Sequence, residues 1–234
     1  MIRDAKGGLF SSVIDWYIGR KVRSAFRGVW VRGELPVAAS GLIAYLNHSS
    51  FWDGFLVHQL GKLAGWDTYA LMEEQNLARY RFHTRIGAFS VRRGDPRSAV
   101  ETLRYAKTVL ERPNACVTIF PQGELRQGPL GPLSRGIEVL ARSSRRQAVP
   151  IALRYAFFEH EHPDVLVEVG APHAPGPMTT FTEQLESVTQ RVHAARSTEG
   201  FTLKIAGRRS VQERWDTVRS LPPTTQEGAP AARG

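Results

Sequence analysis

Apolar and polar positions along this chain change period several times, and each change marks an element. From Leu9 to Trp30 the residues Phe10, Val13, Ile14, Tyr17, Ile18, Val22, Phe26, Val29 and Trp30 keep to one helical face, while Arg20, Lys21, Arg23 and Arg27 mostly lie off it. The spacing predicts one amphipathic helix, ended by Gly33-Glu34-Leu35-Pro36. Gly41 to Leu46 is then an apolar run of strand length that stops at Asn47, and Trp52, Phe55, Leu56, Gln59 and Leu60 repeat at helical spacing. Strand, polar loop, helix is the expectation. Asp67 to Met72 predicts a second strand, Glu73 to Thr84 a polar helical stretch, and Ile86 to Arg93 a third strand ending in two arginines. Gly94-Asp95-Pro96 places an N-cap and a first-turn proline ahead of Val100, Leu103, Ala106, Val109 and Leu110. Cys116 to Phe120, Ala148 to Phe157 and Val165 to Val169 read as further strands, with helices from Ser134 to Arg142 and Thr180 to Ala195.

Strands alternating with helices predict an α/β fold: a single domain with a mixed, mostly parallel sheet flanked by helices, preceded by an N-terminal amphipathic helix. The expected plan is a membrane-associating helix over 1–35, the α/β domain over 36–220, and a disordered tail over 221–234 that is rich in Pro, Thr, Gly and Ala.

Composition changes this picture in three ways. At 234 residues and 42% hydrophobic, the chain has material for one sizeable core. Its formal net charge of +9 favours anionic partners: phosphorylated substrates, an acidic membrane surface or nucleic acid. Nucleic acid is the weakest of these, because the chain has no recognised binding motif and no basic helix besides the amphipathic one. A single cysteine excludes an internal disulfide and suits a reducing compartment. No apolar run nears the length of a transmembrane helix and the first residues lack a signal-peptide core, so the expectation is a protein that is soluble or lies on a membrane. The aromatic-rich stripe with its basic flank fits a helix lying in a bilayer interface, and equally one packed on the core.

His48 and Asp53 fall beyond a strand's carboxyl end, where open α/β sheets place ligands. On one continuous helix, residues at this spacing would point apart. A turn would instead fold Asp53 back onto His48, orienting the imidazole as a general base. The same residues also fit a capping box, Ser50-x-x-Asp53, beside a loop histidine bonded to backbone. Cys116, inside an apolar strand, reads as core, and His160-Glu161-His162 lacks a third ligand, so no metal is expected. There is no G-x-S-x-G elbow, P-loop, H-E-x-x-H or G-x-G-x-x-G, which argues against Ser49 or Ser50 as a nucleophile.

Three expected strand ends carry polar residues, and with a fourth block they form a series. In order and spacing, Asn47-His48-x-x-x-x-Asp53, Gly87-x-x-x-x-x-Arg93, Phe120-Pro121-x-Gly123 and Val149-Pro150-Ile151 resemble the four blocks of the glycerolipid acyltransferases typified by 1-acylglycerol-3-phosphate acyltransferase. The resemblance covers about Leu42 to Ala152. It implies acyl transfer from acyl-CoA or acyl-carrier protein to a lysophospholipid hydroxyl, without a cofactor, by a cytoplasmic enzyme peripheral on the inner face of the membrane. It implies His48 as base, Asp53 as its partner and Arg93 as holder of the acceptor's phosphate. Asn47, Gln122, Gly123, Glu124 and Arg126 are its further substrate-binding positions, and backbone amides near Gly123 are the expected oxyanion donors. The third block departs from the family's Phe-Pro-Glu-Gly-Thr-Arg: here the carboxylate stands two places later, at Glu124, and the arginine one place later, at Arg126. That leaves a neutral or glycosylated acceptor open, and a non-catalytic membrane-binding module is the rival to any enzyme.

Overall fold

The apolar run Leu42–Leu46 forms β2, buried along its whole length at the middle of an eight-stranded sheet. A computed structural model describes residues 1–219, so the tail expected over 221–234 lies outside the described residues. In chain order the elements are α1 (Leu9–Ala25), β1 (Gly28–Arg32), β2, α2 (Asp53–Ala64), β3 (Asp67–Glu73), α3 (Glu74–Arg79), a 3-10 turn (Arg81–Ile86), β4 (Ala88–Val91) and α4 (Pro96–Val109). There follow β5 (Ala115–Ile119), α5 (Gly136–Ser144), β6 (Gln147–Ala156), β7 (Asp164–Val169), α6 (Met178–Ala194), β8 (Thr202–Ala206) and α7 (Val211–Arg219). The strand order is β4-β3-β5-β2-β6-β7-β1-β8. From β4 to β6 every pairing is parallel, β6–β7 is antiparallel, β7–β1 is parallel and β8 closes the edge antiparallel to β1. This is the mixed, mostly parallel sheet expected of the alternation.

A strand covered on both faces needs apolar residues at every position, which is why Leu42–Leu46 shows no alternation. Leu42, Ala44 and Leu46 face α1 and α2, whose Ile14, Ile18, Val22, Leu56 and Leu60 complete that layer. Ile43 and Tyr45 face the opposite layer, built with Leu110, Leu140, Phe181 and Leu185 of the other helices and their ends. Ile18 and Leu56 are fully buried, and each stabilises the fold by roughly 1.5–3 kcal/mol.

The helix expected to reach Trp30 ends at Ala25, and Gly28–Arg32 is a strand. Val29 and Val31 alternate inward, and Trp30 Nε1 donates to Asp164 Oδ1 at 2.7 Å, so tertiary pairing overrides the helical spacing. Arg27, expected on the helix's basic flank, is spent on the buried Asp164 at 3.0 and 2.9 Å. The third strand is shorter than expected, and the polar stretch before it divides into α3 and the 3-10 turn. The N-cap at Asp95 forms as expected, accepting from the N–H groups of Arg97 and Ser98 at 2.9 and 3.1 Å.

The apolar residues of α1 divide between a packed face and an exposed one. Ile14, Ile18 and Val22 pack on the core, while Leu9, Phe10, Val13, Trp16 and Tyr17 are exposed. No helix among the described residues is long and apolar enough to cross a membrane.

Candidate active site

The loop after β2 is closed by its own side chains. Asn47, buried, donates through Nδ2 to Leu153 O at 2.9 Å and accepts from Leu153 N at 2.8 Å, extending the β2–β6 ladder by one side-chain rung. Five residues later Asp53 opens α2, and its Oδ2 accepts from the N–H groups of Ser49 and Ser50 at 2.7 and 2.9 Å. The same oxygen meets His48 Nδ1 at 2.8 Å. The bond from Ser50 N–H is one half of the expected capping box, so the capping reading and the base-orienting reading describe one arrangement.

Asp53 is 0% exposed, whereas the His48 ring is 24% exposed. A buried carboxylate without partners would cost several kcal/mol. Here the two backbone donors, His48 and Tyr155, whose hydroxyl donates to Oδ1 at 2.5 Å, surround both oxygens, and the α2 N-terminus adds its dipole. Burial, followed by the neighbouring Asp53 charge, pushes the Tyr155 phenol far above its usual range, so it remains a donor. With Nδ1–H directed at Asp53, the imidazole presents Nε2 as an acceptor.

The third block grips this loop by its backbone. The His48 ring stacks on Phe120, with centroids 4.4 Å apart and planes at 26°. Gln122 Oε1 accepts from His48 N at 3.1 Å, and Arg126 N donates to His48 O at 2.8 Å. Gly123 adopts φ 74° and turns its own N–H back to Phe120 O at 2.9 Å, so that amide is occupied rather than open to an oxyanion. A Cβ at Gly123 would stand 3.2 Å from Arg93 Nη2, which places the Arg93 guanidinium over this turn. Arg93 has only a loose ion pair with Glu73, at 3.9 Å, while Arg92 is held by Glu74 at 2.6 Å. The strand end thus offers one committed arginine and one nearly free one. Glu124 and Arg126 are exposed and pair with each other at 3.1 Å.

Cys116 is buried in β5, where desolvation pushes its thiol well up, as a core residue requires. Among the described residues no group of His, Cys, Asp and Glu is placed to hold a metal ion. Sequence reasoning missed Tyr155, since nothing in a phenol near a strand's end marks it. Its signal was register: β6 lies beside β2 and continues past it toward the same end of the sheet.

The family model described as Acyltransferase matches residues 28–154, more than half of the chain. The chain belongs to that family. The matched span runs from β1 into β6 and holds His48, Asp53, Arg93 and the third block; Tyr155 lies one residue beyond it. The fold is similar to the crystal structure of the 1-acyl-sn-glycerophosphate (LPA) acyltransferase PlsC from Thermotoga maritima. The two chains are 17% identical, the match covers 80% of this chain and 81% of that one, and the TM-score is 0.59. No curated protein matches the chain. As a member of an acyltransferase family, this protein moves an acyl group from a donor to an acceptor.

Proposed function

We propose that this acyltransferase moves a fatty acyl group from acyl-CoA or acyl-carrier protein to a hydroxyl of a lysophospholipid such as 1-acylglycerol-3-phosphate. The observation that carries the reading is a half-open imidazole held at Nδ1 by a fully buried, fully hydrogen-bonded carboxylate. In this reading the acceptor hydroxyl gives its proton to His48 Nε2 as its oxygen bonds to the thioester carbonyl carbon. The tetrahedral intermediate then collapses with cleavage of the C–S bond, and the thiolate takes the proton back from the imidazolium. Asp53 stabilises the transient charge on the ring. An ordinary thiol has a pKa of about 8.5, so it leaves with little help and no second acid is needed. Arg93, held only loosely by Glu73 and lying over the Gly123 turn, fits the acceptor's phosphate. No metal or other cofactor enters these steps.

One observation favours a second acceptor class. The displaced third block leaves Arg126 paired with Glu124 at 3.1 Å, so its charge is already partly met, as suits a neutral or glycosylated lipid acceptor. The outward row Leu9, Phe10, Val13, Trp16 and Tyr17 would rest α1, rather than the whole of residues 1–35, on the membrane, at the cytoplasmic face, and hold the α/β domain, which takes in β1 from Gly28, against it.

Thiol release by purified protein from acyl-CoA and from acyl-carrier protein, across lysophospholipids and neutral hydroxylated lipids, tests the proposal. Release that depends on acceptor and is lost in His48→Ala is expected. If no pair of substrates releases thiol while the protein still binds anionic vesicles, a membrane-binding module replaces the enzyme.

A further inference from the structure

Aromatic rings from three segments meet in series, starting from the His48 loop. Phe51, in the loop that His48 and Asp53 close, lies 5.4 Å from Phe55 of α2, and Phe55 lies 6.2 Å from His83 of the 3-10 turn. His83 stacks on Phe82 at 4.0 Å and meets Tyr80, just before the turn, edge-on at 6.5 Å. The inner rings are the covered ones: Phe55 is 7% exposed, and burial lowers the His83 pKa to about 4, which leaves that imidazole uncharged near neutral pH. The outer rings are open, at 70% for Phe51, 44% for Tyr80 and 36% for Phe82.

Single exposed apolar side chains are ordinary, whereas a connected row of them marks a place where something apolar binds. Fastening α2 to the turn needs only Phe55 and His83; Phe51 and Phe82 carry the row into solvent on either side. Its position says what covers it. The Phe51 end stands three residues after His48, beside the Ser49 and Ser50 amides that Asp53 holds. The other end belongs to a turn tied to α1, because Ser11 Oγ donates to Arg85 O at 2.7 Å, and Leu9 and Phe10 in the same helical turn are exposed. The row therefore links the proton-accepting loop to the helix assigned above to the bilayer. A lipid acceptor whose hydroxyl sits at His48 has an acyl chain to place in that interval.

We propose that Phe51, Phe55, His83 and Phe82 form a bed for the acyl chain of the lipid acceptor. The inference rests on the acyl-transfer reading above, and it goes further in naming residues, left unspecified by the four motif blocks, that set the preference for acceptor chain length. The first methylenes lie on Phe51 and later ones on Phe82, and the bed covers the chain on one side.

Hexanoyl, octanoyl and decanoyl acceptors, as 1-acylglycerol-3-phosphates and as monoacylglycerols, read the bed in the full chain with decanoyl-CoA as donor. A methylene removed wholly from water gains about fourfold in affinity, and one covered on a single side about twofold. Wild-type kcat/KM is therefore expected to rise on the order of tenfold from the hexanoyl to the decanoyl acceptor. Phe51→Ala, at an exposed position, should lower kcat/KM for every acceptor. Phe82→Ala should lower it by a factor that grows with chain length, cutting the rise to about threefold. Leu203→Ala, an exposed apolar change on the edge strand β8, should keep the wild-type rise. A Phe82→Ala loss that is equal for all acceptors, or that follows the length of the acyl-CoA instead, would overturn the bed while leaving the transferase in place. Failure of wild type to transfer to any acceptor would overturn the transferase reading and the bed with it. Sedimentation with phosphatidylcholine vesicles separates a bed from an insertion: if both alanine variants lose vesicle binding yet keep the wild-type rise, the rings enter the bilayer and the chain assignment fails.

Discussion

Two histidine–aspartate pairs meet α2, and they are built in opposite ways. In His48–Asp53 the carboxylate is 0% exposed and the ring 24%; in His58–Asp15 the ring is 9% exposed and the carboxylate 31%. Both are close, at 2.8 and 2.5 Å. What separates them is which member is buried. A buried carboxylate with an open ring leaves a nitrogen free to exchange protons with a ligand. A buried ring with an open carboxylate makes a fastening: His58 joins α2 to α1, desolvation lowers its pKa despite Asp15, and Lys62 shares the carboxylate. Proximity alone does not define a catalytic pair.

Removal of each ring should separate the two most widely. His48→Ala is expected to lower kcat by ~10²–10⁴, the usual contribution of a positioned base, at little change in melting temperature. His58→Ala should leave kcat within about twofold and cost stability of about 1–2 kcal/mol, because it opens a joint between helices. Steady-state kinetics alongside thermal melts distinguish them, and equal losses of activity would break the contrast.

A smaller effect tests how the Asp53 carboxylate is held. Tyr155→Phe removes the donor to Asp53 Oδ1 at 2.5 Å and leaves the aromatic packing on Phe26, whose ring centroid is 5.7 Å away. The expected result is roughly tenfold lower kcat at unchanged KM, since loss of one hydrogen bond to a buried charge is worth about 1–3 kcal/mol. A variant with lower stability and unchanged kcat would make Tyr155 a packing residue alone.

These pairs also show what a sequence can carry. His48 and Asp53 were legible because their five-residue spacing and the strand before them fix a turn locally, and the sheet was legible because alternating strands and helices leave few arrangements. Tyr155 and Asp15 were not, since their partners lie 102 and 43 residues away and only the order of strands and the crossing of helices bring them in. The helix expected to run to Trp30 failed for a related reason. Phe26, Val29 and Trp30 satisfy helical spacing, but the pairing of Val29 with Val165 and the bonds of Arg27 and Trp30 to Asp164 are long-range and outweigh it. β8 escaped notice because an edge strand with only Ile205 buried has almost no pattern to show.

A third histidine takes the comparison to its limit. His83 stacks between Phe82 and Phe55, with centroids at 4.0 and 6.2 Å, and burial lowers its pKa from 6.5 to about 4. Here no carboxylate offsets the desolvation. Between those two values the unfolded chain binds more protons than the folded one, so stability is at its full value above pH 6.5 and falls as pH drops toward 4. His58 and His193, also lowered by burial, add the same sign. The lowered carboxyls Glu74 and Glu213 lose their contribution only below their ordinary value of 4.5, so histidines govern the upper part of the window. Urea midpoints at about pH 7 and about pH 5 should therefore differ in wild type, and His83→Phe, which keeps the ring stack, should narrow the difference without abolishing it. An unchanged difference would mean that His83 reaches water in the folded protein, and burial of the ring would then not be what distinguishes a fastening histidine from a proton-exchanging one.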